Sequence, residues 1–257
     1  MDAMMNFNEL KDLLDAKVEQ YNTPDFILND PIQIPHRFSA VQDIEISAFL
    51  TATITWGNRK SIIKSADKMM QLLGDAPFEF VQNHTAKDLD FIEKQTVHRT
   101  FKGEDLVFFI HRLRLLYQEQ PSLEHFFLPL EHEINMKEAL HRFRQKFLGE
   151  NPHRAFKHVS STYANAPAKR LMMMLRWLVR RDHKGVDLGI WKKIPTEILS
   201  LPLDVHVGNL ARTYGLLTRK QNDWKAVEEL DYILRKMDAV DPAKYDFALF
   251  GMGINEK

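Results

Sequence analysis

The residues best suited to chemistry lie in the second half of the chain. In KRLMMMLRWLVRR, residues 169 to 181, Lys169, Arg176 and Arg180 stand at i, i+7 and i+11 and share one stripe of a predicted helix. Leu171, Met174, Leu175 and Leu178 make the apolar stripe, and Arg170 and Arg181 flank the basic one. Two roles suit such a stripe: the solvated face of an amphipathic helix, or a rail that neutralises nucleic-acid phosphates. In LSLPLDVHVGNLARTYGLL, residues 199 to 217, Asp204 sits at the mouth of another predicted helix, with Pro202 fixing the approach of the chain. Free N–H groups and the positive dipole end stabilise a carboxylate there, whether it is an N-cap alone or presents its charge to a ligand. His206 reads equally as a satisfied buried histidine or as a phosphate donor.

These segments need elements to hold them, and the periodicity predicts helices throughout. Asn6 to Tyr21 carries Leu10, Leu13, Leu14 and Val18 at helical spacing. YNTPDFILNDPIQIPHRF follows as a loop, its three prolines fitting a helix poorly. Asp43 to Trp56 is apolar on every face after Ile46, which predicts a buried central helix ending at Gly57-Asn58. NRKSIIKSADKMMQLLGD, Leu106 to Gln118 and Met136 to Phe147 continue the pattern, and the aromatic EQPSLEHFFLPLEHEI between the last two predicts a packed connection. Asp204 and Asn222 open two further helices, and Asp241-Pro242 opens a last one expected to stop at Gly251. Alternating apolar and polar residues are scarce, so the fold class is all-α.

Composition narrows the function classes. The 257 residues carry 35 Lys/Arg against 35 Asp/Glu, yet Arg142 to Lys220 alone holds 16 against 5. A neutral chain with one basic segment presents a local field to an anionic partner. The absence of cysteine excludes thiol nucleophiles, disulfides and cysteine-held metal clusters. Eleven histidines show no ligand spacing, so no metal site or cofactor is expected, and without a glycine-rich phosphate loop nucleotide triphosphate has no support as a ligand. MDAMMNFNELKDLL lacks a secretory pattern and no long apolar run occurs, so the expectation is a cytoplasmic protein with no membrane partner. Oligomeric state is not legible.

L-P-x-D-x-H-V, followed by a helix with an arginine and a terminal Y-G-L, resembles the catalytic-aspartate segment of the helix-hairpin-helix DNA glycosylase superfamily. KRLMMMLRWLVRRDHKGVDLGIWKKI, LPLDVHV, DPAKYDFALFGMGI and DIEISAFLTATITWGNRKSII together resemble an uncharacterised bacterial family within or beside that superfamily, across most of the chain. The resemblance implies one globular unit, 1–257, of two helical lobes with a cleft between them. A central lobe would span 31–182, and both termini, 1–30 and 183–257, would build the second. It implies Lys169 as nucleophile and Asp204 as essential carboxylate, 35 residues apart, an interval closer to that of the archaeal 8-oxoguanine glycosylases than to the usual one. Where the superfamily has a glycine-rich L-P-G-V-G before the lysine, this chain has TYANAPAK; Asn165 tolerates a left-handed backbone and allows a turn.

The implied chemistry is excision of a damaged base flipped from duplex DNA. Lys169, kept deprotonated by desolvation and by Arg170 and Arg176, would attack the deoxyribose anomeric carbon to give a Schiff base, with strand cleavage as a second outcome. Asp204 would stabilise positive charge on the sugar or assist proton transfer. A base pocket needs flat walls and a few polar groups, and the candidates are Trp56, Asn58, Tyr245, Asp246 and Phe250. Trp56 and Phe250 also read as core, and Asp246 as a structural partner of an arginine. Arg170, Arg176, Arg180, Arg181 and His206 would meet the DNA backbone, with Arg176 and Arg180 along the rim of the cleft. Arg59 and Lys60 also resemble family positions. A non-catalytic nucleic-acid-binding protein of the same fold is the alternative, and a protein-interaction scaffold the third reading.

Overall fold

The computed structural model describes residues 5–255. Among these residues the chain forms twelve α-helices, several 3-10 turns and one small antiparallel hairpin. The first helix, α1 (Phe7–Tyr21), starts where Asn6 accepts from the Asn8 and Glu9 amides and Glu9 accepts in return from the Asn6 amide. The proline-rich stretch is more ordered than the expected loop. It holds α2 (Asp25–Leu28) and two 3-10 turns, Pro31–Gln33 and Pro35–Arg37, each with proline first, where a missing N–H costs no hydrogen bond. α3 (Val41–Thr53) is buried from Ile44 onward on every face, the central helix its composition predicts. Gly57, at φ +98°, breaks the chain direction, and Asn58 caps α4 (Arg59–Leu72).

α5 (Pro77–Asn83), α6 (Ala86–Glu93) and the hairpin β1 (Thr96–His98)–β2 (Phe101–Lys102) are too short to leave a periodic signature in the sequence. α7 (Gly103–Glu119) and α8 (Lys137–Leu148) follow, joined by the packed turn Leu123–Phe127. The last four helices are α9 (Lys169–Val179), α10 (Val205–Thr213), α11 (Trp224–Met237) and α12 (Tyr245–Asn255). Several boundaries differ from expectation; Asp241-Pro242 opens a 3-10 turn, Pro242–Lys244, and α12 itself starts at Tyr245. Asp223, not Asn222, caps α11 by accepting from the Ala226 amide. Asn222 instead accepts from Arg212 and donates to the Asp204 carbonyl at 2.8 Å, pinning the start of α10. Gly251 does not stop α12 but lies within it, where a Cβ would come within 2.3 Å of the Tyr21 ring. Its lack of a side chain lets α1 and α12 pack closely.

Buried apolar residues fall into two clusters. The larger is built around α3, α7, α8 and α9 and includes Val186, Trp191, Ile194, Ile198 and Leu199. The smaller joins α1 to α10, α11 and α12 from Leu201 onward. Among the described residues no helix is long and apolar enough to cross a membrane.

Candidate active site at the start of two helices

Lys169 is the first residue of α9, and Asp204 is the N-cap of α10. The turn before Lys169 is unusual: Asn165 adopts the left-handed conformation its type allows (φ 60°, ψ 22°), and Ala168 does so too (φ 48°, ψ 31°). A left-handed alanine costs about 1–2 kcal/mol, so its surroundings must impose it. Ala168 is buried in the larger cluster, while Asn165 donates to Asp223 at 2.9 Å and its carbonyl accepts from the Trp224 amide. The turn is thus tied to α11 on one side and to the core on the other.

Asp204 Oδ1 accepts from the Val207 amide at 2.9 Å. Its Oδ2 lies 3.5 Å from Lys169 Nζ, with both side chains partly exposed. Both groups face one cavity of about 480 Å³, where residues packed on the larger cluster (Phe26, Trp56, Met173) meet Phe250 of α12. The Trp56 ring is fixed by the Arg170 guanidinium 5.0 Å from its centroid and by a parallel stack on His158 at 5.7 Å. Phe250 carries the Arg59 guanidinium 5.1 Å from its ring. Such walls suit a flat ligand.

The buried lining sets two carboxylates around Arg176. Asp246 is buried against Arg176, and burial pushes its carboxyl up to about 6, with Arg176 opposing and the Asp204 charge reinforcing the rise. Asp30, also buried, accepts from the Ile32 amide at 3.1 Å; burial raises its pKa against the pull of Arg176. Ionised, these two carboxylates would accept hydrogen bonds from a ligand edge that carries N–H groups.

Several expected site residues sit elsewhere. Arg176 and Arg180 do not form an exposed rim: they are 3% and 2% exposed, Arg176 within the cavity lining and Arg180 outside it. Arg176 bonds Asp187 and Asp246, and Arg180 bonds Asp182, Asp187 and Asp241. An arginine so enclosed is unable to reach a phosphate. Asn58 is outside the cavity lining, its side chain capping α4 from the surface. Tyr245 is fully buried in the smaller cluster beside Asp15 and does not line the cavity. Arg181 is exposed beyond α9 and away from the cavity, whereas His206 is exposed at the mouth itself. Arg170 spends its guanidinium on the Thr53 carbonyl at 2.6 Å and on Trp56, and burial lowers its pKa to about 10, still cationic at neutral pH. Phe26, Asp30 and Met173 have no local signal that marks them as cavity residues. Among the described residues no group of three or more His, Asp or Glu side chains is arranged to hold a metal ion.

An all-helical protein that sets a lysine–aspartate pair at the entrance of an aromatic-walled cavity is the class defined by this fold and site. The family model described as a protein of unknown function (DUF2400) matches residues 30–255, and the chain belongs to that family. No curated protein and no solved structure matches it.

Proposed function

We propose that this protein is a DNA-repair glycosylase-like enzyme that excises a damaged base with Lys169 as nucleophile and Asp204 as its carboxylate partner. The carrying observation is that Lys169 Nζ and Asp204 Oδ2, far apart in sequence, stand 3.5 Å apart at a cavity of about 480 Å³. In this reading a flipped nucleotide places its base between Trp56, Phe26 and Phe250 and its sugar at the lysine. The amine attacks C1′ of the deoxyribose, and the glycosidic C1′–N bond breaks with its electron pair leaving on the base. Loss of a proton from nitrogen and opening of the sugar ring then give the Schiff base. Asp204, held by the Val207 amide, faces the positive charge that develops on the sugar.

The test is borohydride trapping on duplexes that carry 8-oxoguanine, uracil, an alkylated base or an abasic site. A covalent adduct on at least one substrate, lost in Lys169→Ala and cut by about 100-fold or more in Asp204→Asn, is the expected outcome. Absence of an adduct on every substrate, or an adduct that survives Lys169→Ala, sinks the Schiff-base assignment.

A further inference from the structure

The burial of Arg176 and Arg180 removes two of the phosphate ligands the sequence pointed to, and another surface answers. Next to the cavity lies an open groove of about 510 Å³, and the two share Thr55, Trp56 and Lys169. The groove contains the exposed Lys157, the Arg170 side chain and the hydroxyls of Ser160 and Thr100. No Asp or Glu is among its lining residues, whereas in the cavity beside it Asp30, Asp204 and Asp246 offset Arg59, Lys169 and Arg176. The two hollows therefore differ in charge: one suits a polyanion and the other a neutral or donor-rich group.

The geometry points to this groove as the track of the phosphate backbone, with Lys157 as its principal phosphate-binding cation and Ser160 and Thr100 as neutral donors. This assignment rests on the proposed function. A nucleotide whose sugar sits at Lys169 has its base in the cavity and sends its strand along the groove. Trp56, clamped by Arg170 and His158, lines both hollows. Hydroxyl and ammonium donors in the groove position the strand without reading sequence, which is the usual division between phosphate and base recognition.

Anisotropy on the full chain tests it, using a labelled duplex with a central tetrahydrofuran abasic analogue and KCl from about 50 to about 200 mM. Removing one cation that neutralises a phosphate lowers the slope of log K against log salt by about 0.9, so Lys157→Ala should lower it by about that amount. Lys157→Glu should weaken binding by about tenfold or more, and Lys87→Ala, on exposed α6, should match wild type. Wild-type slopes in both Lys157 variants overturn the groove while leaving the enzyme reading intact. Failure of the unaltered protein to bind the duplex overturns both. Binding of inorganic phosphate that depends on Lys157, with DNA slopes unchanged, also overturns the track and identifies a small-anion site instead.

Discussion

The left-handed pair Asn165 and Ala168 aims Lys169, and the two residues were not equally legible. Asparagine is enriched in that region of backbone space, so a turn at Asn165 was readable from its type. Alanine carries no such signal; Ala168 takes φ 48° while buried in the larger cluster. The two contributions of Asn165, its backbone and its bond to Asp223, separate in a pair of variants. Asn165→Gly loses the bond but keeps easy access to positive φ, whereas Asn165→Ala loses both. Urea unfolding should find the alanine variant about 1 kcal/mol less stable than the glycine one. Equal stability would show that the conformation carries no cost. Lys169 and Asp204 were legible through motif resemblance, while Phe26 and Asp30 come from a proline-rich segment whose sequence says nothing of where it packs.

Helix α9 was located by its period, but its basic stripe was read with the wrong surroundings. Periodicity reports which residues share a face; it does not report what that face meets. Arg176 and Arg180 lie opposite the leucine stripe, and there they meet the 182–187 turn and the carboxylates of Asp241 and Asp246 instead of water. In α11, Asp231 shows the same concealment: it is 2% exposed, accepts from Ser200 at 2.5 Å, and burial pushes its carboxyl up to about 7. The folded protein therefore holds a proton there across a range in which the unfolded chain has released it. Relative to Asp231→Asn, the wild type should lose stability as pH rises from about 4 to about 7, by a total on the order of 4 kcal/mol, and level off above. Chemical denaturation across that range measures it, and a flat difference between the two proteins removes the titration from Asp231.

The whole molecule joins two apolar clusters through charge as well as packing. Arg180 reaches Asp241 before α12, and Arg176 reaches Asp246 within it, while Asp187 holds both arginines from the larger cluster's side. Removing one member of such a network strands the others, typically at about 3–5 kcal/mol. Arg180→Met should lower stability by about that much and raise amide exchange first in α12 and the 182–187 turn, with α8 following only on global unfolding. A cost under about 0.5 kcal/mol, the usual value for a surface position, would return Arg180 to the solvent face. The same pairing revises the charge arithmetic. Part of the basic excess between Arg142 and Lys220 is met by pairing within the fold: Arg142 pairs with Glu133, Arg154 with Glu104 and Asp105, and Arg180 with Asp241. Beside the cavity, Lys157, Lys169 and Arg170 cluster on one groove and present a local positive field to a partner.

Sequence by itself determined the helical class, the central helix α3, the cap at Asp204, and the candidacy of Lys169 and Asp204. Those features depend on neighbours a few residues apart, where period and cap chemistry operate. Tertiary structure alone decided that the two residues share a cavity, that Phe26 and Asp30 help line it, and that the arginines serve the core. Burial and pairing across 50 or more residues fix those outcomes, as in Arg180 with Asp241 and Arg176 with Asp246, and no local pattern encodes which opposite charge will arrive.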